Sequence, residues 1–440
     1  MKISSLKPPQ LLVVGFMAVI LLGSILLSTP WASNDGLSSD WLTALFTATT
    51  AVCVTGLVVV DTGTHWSIFG QIVIMLLIQI GGLGIMSFAT LFALLLRKKI
   101  FFKQRIIMQQ ALGNFSVQGI VNIFKYLLIF SFLFEAIGAL ILTLHWLPTM
   151  GFAKALWFGI FHAISAFNNA GIDLFGNFNN LTGFSTDLTI NMVISSLIIF
   201  GGLGFYVIYE LYNYKNDRKL SLHSKVVLIT TGALIVLGTV IIFAAEYNHA
   251  LRELAPAHKL LAAYFQSVSP RTAGFNTIDL NTLFLPTQLL IMALMFVGGS
   301  PGSTAGGIKT STFTVLWVAI FSILRGKKDA EIFKRRIEAN EVSRALAIAL
   351  LSISVIFMMT FLISFSNDYG LVRILFEVVS ALGTVGLSLN LTPQLNEIGR
   401  ILIIITMFLG RLGPITIGYA LVFRQQQANV RYPEGKIMIG

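Results

Sequence analysis

Long apolar runs separated by short polar segments dominate the chain. Leu11–Leu27, Ile68–Leu96, Ile120–Leu144, Leu188–Leu211, Val226–Ala244, Ala345–Phe365 and Ile398–Phe423 are each long enough to cross about 30 Å of hydrocarbon as a helix. Pro286–Leu324 is long enough as well, with an interruption at its centre. Four other apolar stretches, Asp40–Val52, Phe152–Phe167, Leu260–Val268 and Leu371–Leu382, are too short to cross and run into glycine-containing turns. The pattern predicts span, half-span, span, four times over. The expected fold is all-α and membrane-embedded, with eight transmembrane helices and four tandem helix, pore-loop, helix repeats around a central pore. The repeats occupy residues 8–99, 118–213, 223–326 and 340–424, and residues 425–440 form a cytoplasmic tail. The apolar runs are continuous, without the period-two alternation of a membrane β-barrel.

An internal spacing supports the fourfold reading. An aromatic residue is followed ten positions later by glycine and then by an apolar or aromatic residue: Phe46 to Gly56, Phe161 to Gly171, Tyr264 to Gly274 and Phe376 to Gly386. The four glycines are 115, 103 and 112 residues apart. A Ser or Thr stands six residues before the glycine at Thr50, Ser165 and Ser380, whereas the third copy has Val268 there.

Composition agrees with membrane burial. Hydrophobic residues make up 55% of the 440 and charged residues 11%, too few to cover a soluble protein of this length. Mean hydropathy is +0.82. The N-terminus, MKISSLKPPQ, resembles a weak signal-peptide start, but no cleavage pattern leading into a soluble domain follows, and a retained first span is expected. The net charge of +11 is gathered at alternate polar segments: Arg97, Lys98, Lys99, Lys103 and Arg105; Lys215, Arg218 and Lys219; Arg325, Lys327, Lys328, Lys334, Arg335 and Arg336. That distribution marks the cytoplasmic side and places both termini there; it reports topology, not a nucleic-acid ligand. The single cysteine, Cys53, excludes an intrachain disulfide and a cysteine metal site.

Non-helical backbone cannot face lipid, because each unpaired N–H or C=O there costs several kcal/mol, so the four loops must line a shared cavity. Their centres read Val54, Thr55, Gly56; Asn169, Ala170, Gly171; Thr272, Ala273, Gly274; and Thr384, Val385, Gly386. Glycine lets carbonyls turn to the axis and lets four chains approach. Arg271 flanks the third loop, and no Asp or Glu occupies a loop centre, which favours a monovalent cation held by backbone oxygens. With ATTAVCVTGL at 48–57, SAFNNAGI at 165–172, SPRTAGFNT at 269–277 and SALGTVGL at 380–387, the chain resembles the Trk/Ktr/HKT superfamily of potassium transporters, and most closely its bacterial Ktr membrane subunits, over essentially its whole length. The resemblance implies that Gly56, Gly171, Gly274 and Gly386 are filter glycines and that potassium is the transported ion. The loops lack the full TVGYG of tetrameric potassium channels, so fewer carbonyl rings and weaker discrimination against sodium are expected.

A second set of glycines follows the loops: GGLG at 81–84 and 201–204, LGRLG at 409–413, and GGSPGSTAGGIKT at 298–310. In the last, Pro301 with Gly298, Gly299, Gly302, Gly306 and Gly307 breaks a membrane helix at mid-depth, and such a break must border the cavity. This segment reads as an intramembrane gate, with Lys309 either sharing the work of Arg411 or sitting at the segment's lower edge; the alternatives are a structural kink and, from the near match to a phosphate-binding loop, nucleotide binding. Arg411 stands alone in an apolar run, an expensive placement that points to a cavity or a specific partner. It either faces the pore below the filter, as the resemblance implies, or pairs with gate carbonyls, or both. Among other polar residues, Glu135 reads as a structural hydrogen-bonding group with no second intramembrane carboxylate obvious, and His162 as packing. Asp35, Asp61, Asp173, Asp187, Asp279, Asp368 and Glu397 lie in outward segments, where they raise local cation concentration or are ordinary loop charges. No enzymatic constellation has a convincing context.

No polar segment is long enough for a regulatory domain. The linker Arg325–Arg344, with seven basic residues in 20, could dock acidic protein groups or anionic lipid. The resemblance implies a cytosolic ring of RCK domains that binds ATP or ADP, with no nucleotide held by this chain, and a homodimer to which the tail contributes. Sodium is a second candidate ion, since the superfamily includes sodium-influenced systems. The competing reading is an alternating-access cation symporter; four same-orientation repeats count against it.

Overall fold

The computed structural model of the chain describes residues 8–84 and 120–413. One order of elements recurs. A long helix (Pro8–Leu27) is followed by a short one (Trp41–Cys53), an extended loop and a third helix (Ile68–Leu83). The same order returns as Ile120–Met150, Phe152–Phe167 and Leu188–Leu203; as Leu222–Glu246, Pro256–Val268 and the pair Leu285–Phe296 with Thr310–Leu324; and as Ala339–Ser366, Leu371–Gly383 and Glu397–Leu412. We call these the outer, pore and inner helices of each unit.

The outer helices supply the four described helices that are long and apolar enough to cross a membrane unbroken: Gln10–Leu27, Phe124–Met150, Leu222–Glu246 and Ala339–Ser366. Large apolar side chains such as Leu22, Val236, Phe357 and Phe365 project outward from them, as burial in lipid requires. The pore helices are shorter and better buried. Asp40 starts the first by accepting from the Thr43 N–H at 3.3 Å, and Pro256 starts the third with its fixed φ. The units close into a circle. Each inner helix packs on the pore helix of the next unit: Ile68–Leu83 on Phe152–Phe167, Leu188–Leu203 on Pro256–Val268, Leu285–Phe296 on Leu371–Gly383, and Glu397–Leu412 back on Trp41–Cys53.

Three inner helices end alike, at Gly84, Gly204 and Gly413, with φ of 82°, 94° and 81°, a left-handed conformation costly for any residue with a Cβ. Three residues earlier, Gly81, Gly201 and Gly410 lie so close to their own pore helices that a Cβ would fall on the carbonyls of Val52, Phe167 and Leu382. The glycine motifs thus seat each inner helix against the C-terminus of its pore helix.

Several expected spans differ in detail. Leu188–Leu211 is not straight: its two parts, Leu188–Leu203 and Phe205–Lys215, are bent by 97° at Gly204, where the Phe205 N–H leaves the helix and donates to the Gly302 carbonyl at 2.9 Å. The first inner helix is described to Leu83 and the fourth to Leu412. The rest of both spans, the Arg97–Arg105 cluster and the 425–440 tail lie outside the described residues. The basic linker folds into a hairpin, Glu331–Ile332 pairing antiparallel with Arg335–Arg336, with Lys327–Glu331 and Arg336–Asp329 ion pairs and Lys334 and Arg335 exposed.

Candidate functional site

The four loop centres meet in a ring. Gly56, Gly171, Gly274 and Gly386 have φ of 92°, 66°, 76° and 96°, and each lies against the carbonyl that precedes the next glycine. A Cβ on Gly56 would strike the Ala170 oxygen; on Gly171, that of Ala273; on Gly274, that of Val385; on Gly386, that of Thr55. Contacts in the order one, two, three, four, one can only form around an axis. The first residue of each triplet, Val54, Asn169, Thr272 or Thr384, is also left-handed, with φ of 55°, 60°, 73° and 50°. Four non-glycine residues in that conformation are held by surrounding bonds, a concentration of local strain at one place.

Those bonds come from the pore-helix ends. The Thr50 hydroxyl accepts from the Gly56 N–H at 3.0 Å and the Ser380 hydroxyl from the Gly386 N–H at 3.1 Å, while Ser165 donates to the Ile172 carbonyl at 2.7 Å. In the third unit, where the spacing leaves Val268, Ser269 one position later donates to the Phe275 carbonyl. The missing hydroxyl is therefore displaced, not lost. The buried hydroxyls of Thr55 and Thr384 have no hydrogen-bond partner among the described residues. Above the ring a cavity of about 550 Å³ touches all four glycines and is lined by Asp61, Asp173, Asp279 and several asparagines.

Below the ring, residues 298–309 are unwound between Leu285–Phe296 and Thr310–Leu324, as five glycines and a proline costing roughly 8 kcal/mol in a helix would require. The segment is nonetheless strapped. The Gly298 N–H donates to the Ile308 carbonyl at 2.9 Å, the Thr310 N–H to Gly299 at 3.0 Å, and Lys309 Nζ folds back on the Ala305 carbonyl at 2.7 Å. It lies against the second unit, with the Ser300 and Thr304 N–H groups donating to the Gly202 and Gly201 carbonyls at 3.0 and 3.2 Å, and Gly306 abuts the Thr384 side chain. Pro301 and Gly302 face Gly204 at the bend. Gly307 takes φ of 64° beside Gly298.

Arg411 holds the position that Gly82 and Gly202 hold in their motifs. From there its guanidinium donates to the Thr304 carbonyl and to the carbonyls of Gly81 and Gly82. One side chain of the fourth unit thereby ties the third-unit segment to the first inner helix.

The remaining polar candidates sort by contact. Glu135 accepts from Gln79 Nε2 at 3.0 Å and Asn168 Nδ2 at 2.9 Å, a buried link between units one and two. His162 does more than pack: its Nδ1 donates to the Phe158 carbonyl at 2.8 Å and its Nε2 accepts the Leu174 N–H at 3.3 Å, holding the chain just past the second loop. Arg271 is buried behind the third loop with one long contact, 3.4 Å to Thr231 Oγ1. The expectation of no second buried carboxylate is corrected. Glu377, in the fourth pore helix, is buried and accepts from Ser388 and Thr392, and Glu246 accepts the Phe284 N–H at 3.0 Å. Glu377 was hidden in the apolar periodicity of its helix, and its partners come 11 and 15 residues later, on the returning chain. Of the outward aspartates, Asp61 and Asp187 cap helices and Asp187 also meets His145 at 2.6 Å, so these charges build the loops, and Asp61 lines the cavity as well. No cluster of metal-ligating side chains occurs among the described residues.

Four loops that meet in one ring within a membrane-type helical fold place the chain among transport proteins and not enzymes. The comparisons agree. The TrkH family, described as cation transport proteins, matches residues 7–432, and the chain belongs to it. It is 42% identical over 435 residues to the Ktr system potassium uptake protein B of Bacillus subtilis, covering 98% of this chain and 97% of that one. It is 41% identical over 442 residues to the potassium/sodium uptake protein NtpJ of Enterococcus hirae, covering 99% and 98%. The crystal structure of the potassium transporter TrkH from Vibrio parahaemolyticus shares the fold, with a TM-score of 0.77 at 16% identity over 96% of this chain and 86% of that one.

Proposed function

We propose that this chain takes up potassium across the cell membrane through the ring at Gly56, Gly171, Gly274 and Gly386, with residues 298–310 and Arg411 as the gate. The observation that carries the reading is the cyclic contact of the four glycines with their neighbours' carbonyls, beside a non-helical segment bonded to the second and fourth units and, through Arg411, to the first. Backbone oxygens replace a cation's hydration shell without a fixed negative charge, which suits a monovalent ion. The names of the Bacillus subtilis and Enterococcus hirae relatives point to potassium, and the latter also to sodium. Eight crossings place both termini in the cytoplasm. The basic hairpin at 327–336 then faces the cytosol, where it docks an RCK ring that carries the ATP or ADP, beneath a homodimer of this chain.

The test is uptake of potassium and sodium into proteoliposomes, with and without the cytosolic partner, for the intact chain and for a deletion of Gly298–Gly307. Potassium flux that the deletion frees from the partner is the expected result. Absence of cation flux from a folded preparation, even with partner and nucleotide, would overturn the pore. Strict dependence of potassium flux on a sodium gradient would favour coupled transport, the reading that the second ion in the name of the Enterococcus hirae relative supports.

A further inference from the structure

We infer that Thr304 and Asn169 form a latch through which the position of the gate sets the state of the second filter loop, so that ion binding in the filter and opening of the gate are one coupled equilibrium. The inference rests on the pore reading above and assigns it two positioning residues.

The geometry is specific to one of the four loops. Asn169 is the only first-triplet residue with an amide; Val54, Thr272 and Thr384 stand at the equivalent places. Its Oδ1 accepts from the Thr304 hydroxyl at 3.2 Å, and its Nδ2 donates to the Thr272 hydroxyl at 3.3 Å, in the next loop of the ring. The Thr304 hydroxyl is shared with the Phe167 carbonyl at 3.1 Å, at the end of the second pore helix. Thr304 also donates its N–H to Gly201, and its carbonyl receives Arg411. Thr304, Asn169 and Thr272 are all buried. A gate residue is thus bonded to the inner end of the filter, and through Asn169 to two filter loops.

The neighbouring residue shows what the gate does not control. Asn168 is held by Gln79, by Glu135 and by the Ile164 carbonyl, none of them in the gate. When the segment withdraws, Asn168 keeps its partners, whereas Asn169 Oδ1 and the Phe167 carbonyl lose theirs. A buried acceptor left unpaired is costly, so Asn169 must turn to find a new donor or a cation. Its amide oxygen then becomes available at the mouth of the filter below the carbonyl ring. Linkage requires the converse: a cation that binds better to the filter with Asn169 released favours the withdrawn gate by the same factor.

Two readouts test this. The first is partner-independent potassium flux in Thr304→Val, Asn169→Val and the double variant, with Thr304→Ser as the conservative rescue. Loss of one buried hydrogen bond predicts a rise of about three- to tenfold for each single variant, no further rise in the double, and near wild-type flux for Thr304→Ser. The second is the rate at which a thiol reagent labels Ser303→Cys in the gate, compared in potassium and in sodium. A difference between the two ions is expected and should vanish when Thr304→Val is added. Should Thr304→Val prevent insertion, Asn169→Val breaks the same contact from the filter side. Multiplying flux effects in the double variant, or an ion-dependent labelling difference that survives the loss of Thr304, would overturn the latch. Absence of flux in the wild-type protein with its partner would instead overturn the pore reading.

Discussion

The second and third inner helices meet the same problem at the same depth and solve it differently. Both carry a glycine motif below the filter. The second stays helical to Leu203 and then turns through 97° at Gly204, while the third unwinds completely from 298 to 309. The motif GGLG has one left-handed glycine after a leucine, enough for a sharp bend. GGSPGSTAGG offers no residue pair that would hold a turn of helix. The two breaks are complementary. Bending at Gly204 strips the Gly201 and Gly202 carbonyls of their helical donors, and the unwound segment supplies Thr304 and Ser300 N–H groups in their place. In return the Phe205 N–H, freed by the bend, donates to Gly302. Neither break is satisfied alone at this buried place, so the bend and the unwound segment are two halves of one structure. Displacing the unwound segment would expose three backbone groups on the second helix as well as its own.

Three experiments break or sharpen that comparison. The largest effect is expected from Gly201→Ala, whose methyl would fall on the Phe167 carbonyl and crowd Thr304. It should destabilise the detergent-solubilised protein by about 1–3 kcal/mol and remove transport. Gly232→Ala, in an outer helix with open space at its Cβ, should melt no lower than the wild type. If both variants melt alike, the close seating of the motif is not what holds the second inner helix. An intermediate effect is expected for Ser300→Pro, which removes the N–H that Gly202 receives. Partner-independent flux should rise about three- to tenfold above that of Ser300→Ala, which keeps that N–H and loses only the hydroxyl's bond to Thr310, a loss the proline shares. Equal flux in the two variants would show that the exchanged backbone bond does not hold the gate.

The smallest effect lies on the other side of the ring and separates vestibule from gate. Burial pushes the Asp173 carboxyl up to about 7, against the pull of the Phe175 N–H, with the nearby Asp61 charge adding to the rise. Asp173 then carries its charge above about pH 7 and loses it as external pH falls through this value, so on the proposed pathway any attraction it exerts on cations should fade over that range. Uptake from low external potassium should drop about twofold between pH 8 and pH 6 by this route. The drop should persist in the Gly298–Gly307 deletion and flatten in Asp173→Asn. A pH response that disappears with the gate would place the titrating group below the ring instead.

The residues that were legible in advance share a local cause. The ten-residue spacing from aromatic to glycine survives because each pore helix must end at a fixed height before its loop turns in, so the ring could be read from one dimension. The unwound third segment was legible because glycine and proline act through their own backbone, whatever surrounds them. Arg411 announced itself through its cost in an apolar run. Other features were not legible. Val268 looked like a missing hydroxyl, because nothing local says that Ser269 reaches the returning chain instead. Glu377 passed unnoticed among leucines and valines, because its partners Ser388 and Thr392 approach it only once the loop has folded back. His162 looked like packing because the Leu174 N–H it accepts lies on the far side of the filter turn.

By itself the sequence determined that this protein is mostly helical with helices apolar enough to cross a membrane, that an aromatic-to-glycine spacing recurs four times, and that the third inner helix must break. Those properties follow from hydropathy, periodicity and backbone propensity, which act over a few residues. The tertiary structure alone decided what the broken segment touches. The glycines at 201 and 202, the carbonyls at 81 and 82, Asn169 and Arg411 are spread over 330 residues between Gly81 and Arg411, and hydrogen bonds among them exist only because the four units close into a circle. Individually, a buried carbonyl and an N–H have no preferred partner. Closing the ring puts specific ones within hydrogen-bonding distance at buried positions, and there the cost of leaving any unpaired selects the arrangement.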